Sequence, residues 1–395
     1  MNIWIFNHYA EAPPSGQATR TFEISQELVT RGHQVTVFAA DFSHHSMEYR
    51  PGGLLHDVVE DVNFFWVPTP AYNSTGVRRI FNMMAYVDGA RDLASQWSPP
   101  PDVIIGVTVH PWAARAALSV ARKYKVPFVL EVTDIWPDTL VDLGRLGRHS
   151  PLTWYLGRME RGLAKAASAI LSYWPSTETH YMAMGVHPSK VHWVGHCVDL
   201  ERYMVHSAAP EPGTVAYVGS LTHEYDIDTA LNAARLIPGV RFTFYGDGEE
   251  RARLEARART EEIRNVVFPR PIPKANVPRA QQQASLLLFI RRKSPIIERF
   301  GMSNNKLAEY FAAGRPIISA CRALNNPVEE ARAGLSVAPG DPEALAEGIR
   351  TLFSMPEGER RAMGDNGRAF AAQHYDVRAV ARKTEQILLR SCERG

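Results

Sequence analysis

The chain has 395 residues, 45% hydrophobic and 22% charged, a composition of folded domains that excludes a largely disordered chain or a plain coiled coil. Its length exceeds one ordinary core and predicts two domains of about 150–200 residues each. Lys and Arg number 44 and Asp and Glu 42, a net charge of +2, too balanced for a dedicated nucleic-acid binder.

Residues 2–6 (NIWIF) read as a first strand. The N-terminal run has no basic region or cleavage site and is not read as a signal peptide. No stretch of about 18 apolar residues would span a bilayer, so a cytoplasmic protein is expected. A Pro/Gly loop leads to a helix over 19–31, closed by Gly32. Strands are predicted at 34–39, 63–67, 102–107, 127–132 and 168–172, with helices at 77–96, 111–124, 151–166 and 175–184. Apolar strands alternating with helices predict a parallel sheet covered on both faces. Residues 194–213 lack a period and read as a linker. A second series follows: strands at 215–219, 241–246, 265–268, 285–290, 315–320 and 334–337, and helices near 226–236, 248–259 and 303–313 and over most of 341–390. The fold class is therefore α/β, two Rossmann-like doubly wound domains facing across a cleft, where such sheets bind ligands. The expected boundaries are 1–195, 210–375 and a C-terminal helix, 376–395, that could cross back to the first domain. Cys197, Cys321 and Cys392 lie far apart without CxxC spacing and read as reduced thiols.

The segment GMSNNKLAEYFAAGRPIISA, 301–320, places Ser303 as an N-cap and Asn304, Asn305 and Lys306 in the first turn of a helix that Gly314 ends. Free N–H groups and the dipole favour an anion there. Glu309, one turn deeper, can accept hydrogen bonds from ribose hydroxyls. A capped helix with solvated Lys and Glu fits the same residues. In 245–255, Gly246, Asp247 and Gly248 form either a tight turn or a close backbone approach to a flat ligand. Gly219 and Ser220 follow a strand in the same way, and Gly16 lies in the loop after the first strand. His110, at a strand end before Pro111, points to a ligand crevice or simply caps a helix. Glu131, Asp134 and Asp138 suit acid/base work or salt bridges equally. The doublet His44-His45 reads as non-metal, and no GxSxG, HExxH or Walker A pattern occurs.

Together these segments resemble the family 4 glycosyltransferases of GT-B fold, retaining enzymes that use nucleotide sugars. The resemblance rests on RGHQVTVFAA (31–40), on VTVHPW (107–112) followed by LEVTDIWPDTLVDLG (130–144), and on KLAEYFAAGRPIISA (306–320) followed by NPVEEARAGLSVAPGDPEALAEGI (326–349). The wording of DIWPDTLVDLG and MSNNKLAEY is most similar to the amino-sugar transferases of O-antigen and capsule assembly. The resemblance implies that the C-terminal domain holds the donor nucleotide, with Glu309 on the ribose and Ser303, Asn304, Asn305 and Lys306 around the diphosphate and sugar. It further implies that Gly246, Asp247, Gly248 and the loop 269–273 line the base, that Gly16 approaches the donor, and that His110 orients the transferred sugar.

Two departures stand out. The family's Glu-x7-Glu is missing, because Gly301 stands eight residues before Glu309; Glu298 is the nearest acidic candidate. The usual Arg and Lys after the first strand of the nucleotide domain are Ser220 and Tyr225. Phosphate charge then falls to Lys306, to Arg291, Arg292 or Lys293, and to backbone amides. The implied reaction moves a hexose or N-acetylhexosamine by front-side attack, without a metal or other cofactor, as donor-binding groups stabilise the leaving diphosphate. The implied acceptor is a glycan or a polyprenyl-linked glycan. Segments 76–97 and 145–167 mix arginines with Phe81, Met83, Met84, Tyr86, Trp154 and Tyr155. They suit either a core-facing helix with a wet basic side or peripheral contact with the inner face of the plasma membrane. A GT-B-like UDP-sugar epimerase is the alternative activity, using Glu131, Asp134 or Glu298 as its carboxylates.

Overall fold

The computed structural model describes residues 1–13, 19–73, 76–204 and 209–393. The chain divides into two units, Met1–Gly195 with Val377–Gly395, and His196–Asp376. Among the described residues no helix is long and apolar enough to cross a membrane.

The first unit opens with β1 (Asn2–Phe6), α1 (Arg20–Thr30) and β2 (Gln34–Ala40), then β3 (His56–Val59) and β4 (Val62–Val67). There follow α2 (Val77–Gln96), β5 (Val103–Val107), α3 (Pro111–Tyr124), β6 (Phe128–Val132), α4 (Asp138–Asp142), α5 (Pro151–Ala166), β7 (Ala169–Ser172), α6 (Glu178–Ala183) and β8 (Val191–Trp193). The eight strands run β3-β4-β2-β1-β5-β6-β7-β8, all parallel except β3. β1 through β7 are almost wholly buried apart from β3, as expected of strands covered on both sides. Helices α2, α3 and α5 begin and end where their apolar periodicity predicts. α3 shows the reasons: Pro111 occupies the first turn, the His110 side chain caps it, and Lys125 closes it in the left-handed region at φ 56°.

The second unit contains β9 (Glu211–Val218), α7 (Ile227–Leu236), β10 (Arg241–Tyr245), α8 (Arg251–Thr260), β11 (Val266–Val267), α9 (Val277–Gln283), β12 (Ala284–Ile290), α10 (Pro295–Phe300) and α11 (Asn305–Ala313). It continues through β13 (Ile317–Ala320), α12 (Pro327–Glu330), β14 (Gly334–Val337), α13 (Pro342–Ser354) and α14 (Glu357–His374). Its six parallel strands run β11-β10-β9-β12-β13-β14 over a core that includes Val215, Tyr217, Phe242, Phe244, Leu286 and Leu288. The final helix, α15 (Val377–Glu393), belongs to the first unit, where it packs on α1.

The described part of the stretch read as a linker carries regular structure that its composition did not suggest. It holds a 3-10 turn over Leu200–Tyr203, and β9 starts at Glu211 rather than 215. In each sheet the strand order reverses direction once. The reversals lie between β1 and β5 and between β9 and β12, and loops diverge at the carboxyl ends of those strands.

Candidate functional site

In the second unit, the loops after β9 and β12 and the start of α11 converge at the reversal point. Asn304, not Ser303, is the N-cap of α11: its side-chain Oδ1 accepts from the Lys306 amide at 3.0 Å. Ser303 lies one residue outside, its hydroxyl 3.2 Å from His196 Nε2. Asn305 is exposed on the first turn. The Asn304 amide also donates to the Tyr225 hydroxyl at 3.3 Å.

Lys306 departs from the alternative reading of a solvated lysine. Only 8% exposed, its ammonium donates to the Tyr217 hydroxyl at 2.6 Å. It lies 3.9 Å from the Tyr217 ring centroid and 3.6 Å from that of Tyr225, a cation–π setting. Burial holds its pKa well below the usual lysine value and Arg291 adds to the effect, while Glu309 and Glu224 oppose it.

Gly219 explains how the lysine fits. Its φ is 148°, and a Cβ there would stand 2.3 Å from Lys306 Cε and 2.6 Å from Nζ. The missing side chain makes room for the lysine, where the sequence had suggested room for a ligand. Gly246 and Gly248 are likewise packing glycines. A Cβ on Gly246 would lie 1.8 Å from the Gly219 carbonyl oxygen, and one on Gly248 2.4 Å from that of Leu221. The loops after β9 and β10 therefore close on each other, with the Leu221 amide donating to the Asp247 carbonyl at 2.7 Å. Asp247 is exposed and its carboxylate accepts from the Gly248 amide at 2.8 Å. Ser220 is exposed and its carbonyl accepts from Tyr217 Oη at 2.6 Å. Arg251 on α8 donates to Pro269 O at 2.8 Å and to Gly246 O, which ties the start of 269–273 to the Gly246 turn.

Glu309 is half-buried and accepts from Gln281 Nε2 at 3.4 Å, which places it on α11 beside α9. Glu298 stands exposed on α10 and pairs with Arg322 at 3.7 Å, with no bond to the group around Lys306. Arg292 is not a free phosphate ligand. Its Nε donates to His223 O at 2.8 Å, and its guanidinium lies 3.6 Å from Asp226 and 3.7 Å from Asp228. Arg291 pairs with Glu224 at 2.8 Å.

Those contacts expose a spacing the sequence reading missed. Asp226-Ile-Asp228 is an Asp-x-Asp sequence, a spacing able to hold a divalent cation. Here Asp228 is taken by Arg253 at 2.7 Å and Arg257 at 2.6 Å, and Asp226 accepts from the Thr229 hydroxyl at 2.7 Å.

In the first unit, His110 sits at the reversal between β1 and β5, fully buried. Its Nδ1 accepts from the Ala113 amide at 3.1 Å. An amide can only donate, so the ring proton is on Nε2, which faces His8 Nδ1 at 2.6 Å. His8 stacks on Tyr86 with centroids 4.3 Å apart. Burial drives the His110 pKa down to about 3, aided by Arg79, and lowers that of His8 well below its usual value. The pair is neutral and donates no charge at neutral pH. His8, at the start of the loop after β1, has no local signal in the sequence, because only the fold brings it to His110. His44 Nδ1 lies 2.6 Å from the Tyr72 hydroxyl, in an aromatic cluster. Glu131 is not a free acid/base group: Arg20 lies 2.5 Å away and Tyr173 Oη donates to it at 2.6 Å. Gly16 falls outside the described residues.

Comparison with known proteins assigns both units. Residues 15–196 match the family profile "Glycosyl transferase 4-like domain", and residues 202–370 match "Glycosyl transferases group 1". Glycogen synthase of Mycobacterium tuberculosis is 26% identical over 327 residues, 77% of this chain and 72% of that protein. Among solved structures, sucrose-phosphate synthase from Thermosynechococcus elongatus aligns with a TM-score of 0.76 at 15% identity, covering all of both chains. Anabaena HepE in complex with UDP aligns at 0.72 and 16% identity, covering 99% of this chain and 100% of that one. Two doubly wound units, each matched along most of its length by one half of the same pair of domains, place this chain in the GT-B glycosyltransferases of group 1, family 4.

Proposed function

We propose that the protein is a retaining transferase that moves a hexose or N-acetylhexosamine from a UDP-linked sugar to a hydroxyl of a glycan or lipid-linked glycan. The observation that carries this reading is the convergence, at the reversal point of the second sheet, of the α11 start, the buried Lys306 ammonium beneath Gly219, and Glu309. Backbone N–H groups of the first turn and the dipole of a nine-residue helix suit a diphosphate. The Lys306 charge lies within the same group of loops, separated from bulk water, so it acts more strongly on developing negative charge than an exposed lysine would. Glu309, on the same helix, takes the ribose hydroxyls.

Stabilisation of the leaving diphosphate by amides and one lysine lowers the barrier by a few kcal/mol, on the order seen when one donor of an anion hole is removed. The leaving phosphate oxygen accepts the acceptor's proton on the face where the new bond forms, which retains the anomeric configuration. His110 is held neutral and fixed by Ala113 and His8, so it orients the sugar and is not the base. In this reading the charge on the diphosphate is met without a divalent ion, which the pairing of Asp228 with Arg253 and Arg257 supports.

UDP, GDP, ADP and TDP are compared by thermal shift, followed by a product assay with the UDP sugar in EDTA. UDP is expected to raise the melting temperature most, and transfer is expected to persist in EDTA with retained configuration. Stabilisation by none of the four nucleotides, or an epimerised sugar formed without acceptor, would overturn the reading.

A further inference from the structure

The first turn of α2 holds Arg78 and Arg79 and no acid, and Gly76 before it supplies no side-chain cap. Positive charge at a helix N-terminus opposes the helix dipole. Arg79 is also half-buried. The half-buried arginines Arg20, Arg257 and Arg291 each meet a carboxylate, at 2.5, 2.6 and 2.8 Å. Arg79 meets none among the described residues. Its Nε donates to the Tyr9 hydroxyl at 3.2 Å, and the N–H groups of its two terminal nitrogens have no acceptor there.

The groups around this guanidinium are rings, and they are neutral. The loops after β1, β2, β4 and β5 bring His8, Tyr9, His44, Tyr72 and His110 to the carboxyl edge of the first sheet. All five lie close enough for the Arg79 charge to act on them. Tyr9 stacks on His8 at 4.5 Å between centroids and on His44 at 4.8 Å, and His8 stacks on Tyr86 at 4.3 Å. This run of four rings fixes the hydroxyl that holds Arg79. Burial, aided by Arg79, lowers His110 to about 3 and His44 to about 4, and lowers His8 well below its usual value. The cluster thus holds one full positive charge, partly shielded from water and balanced by no carboxylate. Such a charge attracts an anion more strongly than a surface arginine does.

The free part of the guanidinium is a fork of N–H donors, which matches two oxygens on one carbon or phosphorus. It stands beside the strand reversal of the first sheet, the crevice where doubly wound sheets take ligands. The transfer reading assigns the donor's nucleotide to the second unit. An anion held by the first unit then belongs to the other substrate.

We propose that Arg79 binds a charged group of the acceptor, so that the hydroxyl to be glycosylated belongs to an acidic saccharide, bearing a carboxylate or a phosphate, and not to a neutral glycan. Tyr9 holds the guanidinium in place through Nε and leaves the fork to the acceptor. The inference rests on the transfer reading and narrows its acceptor.

The full chain is saturated with UDP, which fills the donor site, and titrated with methyl glucuronide, glucose 1-phosphate and methyl glucoside under ligand-detected magnetic resonance. At least one acidic probe is expected to bind, and the neutral glucoside is not. The carboxylate and phosphate probes tell which oxyanion the fork takes. Arg79→Gln should weaken that binding about ten- to a hundredfold, as loss of a charge-assisted hydrogen bond does. Arg79→Lys keeps the charge without the fork and should fall between. Tyr9→Phe removes only the hydroxyl and should weaken binding less than Arg79→Gln. Melting temperature and stabilisation by UDP should stay unchanged in all three. Should Arg79→Gln misfold, the Lys and Phe variants carry the test. Binding of neither acidic probe to the unaltered chain overturns the proposal, as do equal binding of methyl glucoside and unchanged binding by folded Arg79→Gln. Weaker UDP binding in Arg79→Gln would assign the arginine to the donor and overturn it too. Acidic probes that bind through Arg79 in a chain that UDP does not stabilise would sink the donor reading and leave the anion site standing.

Discussion

Lys306 depends on the absence of a side chain 87 positions earlier in the chain. The Gly219 α-carbon leaves just enough space for the lysine stem to pass and for its ammonium to reach Tyr217 Oη. Gly219→Ala forces the lysine out and also strains a backbone at φ 148°. We expect it to destabilise the second unit by about 1–3 kcal/mol, as overpacking does, and to weaken UDP binding. Lys306→Ala should also weaken UDP binding, and the double variant should lose less than the sum, because both changes remove one arrangement. Melting curves and calorimetric titration of the four proteins measure the coupling; strict additivity would mean that glycine and lysine act separately. The first unit holds histidines whose pKa values are depressed. His110 falls to about 3 and His44 to about 4 through burial, with Arg79 adding to both shifts. These groups bind a proton in the unfolded chain below about pH 6.5 but not in the folded chain until much lower pH. Their contribution is complete above about pH 6.5 and is lost as pH falls from there toward about 3–4, at about 1.4 kcal/mol per pH unit for each fully shifted histidine. His110→Asn keeps an oxygen able to accept the Ala113 amide but no longer titrates, so the urea midpoint should fall less steeply with acid than in the unaltered protein.

At the scale of the element, the start of α11 separates capping from charge. Asn304→Ala removes the oxygen that satisfies the Lys306 amide and should cost about 1 kcal/mol. Asn304→Asp restores an acceptor and even favours the helix dipole, yet brings a carboxylate to the place where a diphosphate would lie. Melting temperature should therefore survive in the Asp variant while UDP affinity drops; equal loss of both, or of neither, would locate the nucleotide elsewhere. The sequence made α11 visible because Leu307, Tyr310 and Phe311 fall on one stripe and Gly314 ends it, but the cap was misplaced by one residue, since Ser303 and Asn304 are both good caps and only the observed bond to Lys306 decides. α2, α3 and α5 were legible from their long apolar period. α9 was not: Gln281 and Gln282 are fully buried, with Gln281 Oε1 accepting from Tyr203 Oη and Gln282 Nε2 donating to the Tyr203 carbonyl, and pattern reading takes a buried face to be apolar. β3 hides for the opposite reason, as a short edge strand with no buried residue. In the candidate site, Lys306, Asn304 and Glu309 could be read from one contiguous motif, whereas Gly219 beside Lys306, and His8 beside His110, are meetings of distant segments that no local pattern records.

At the scale of the whole molecule, the chain crosses into the second unit after Gly195 and returns for its last helix. α15 buries Val377, Val380, Ile387 and Leu388 against the first unit. Glu385 accepts from Arg31 at 2.5 Å and lies 2.8 Å from His33, just beyond α1. Four apolar side chains at roughly 1.5–3 kcal/mol each give about 6–12 kcal/mol, the same size as the total stability of an ordinary domain. The ion pairs, partly exposed, add little to that. Deletion of residues from Val377 onward should therefore unfold the first unit and leave the second folded, because β9 through α14 lose none of their own core. Calorimetry of the truncated chain should show the transition of the second unit alone, and limited proteolysis should leave a protected fragment close to residues 196–376. A truncated chain that melts with both transitions intact would show that the first sheet is stable without its last helix, and that the packing on α1 contributes far less than its buried area indicates.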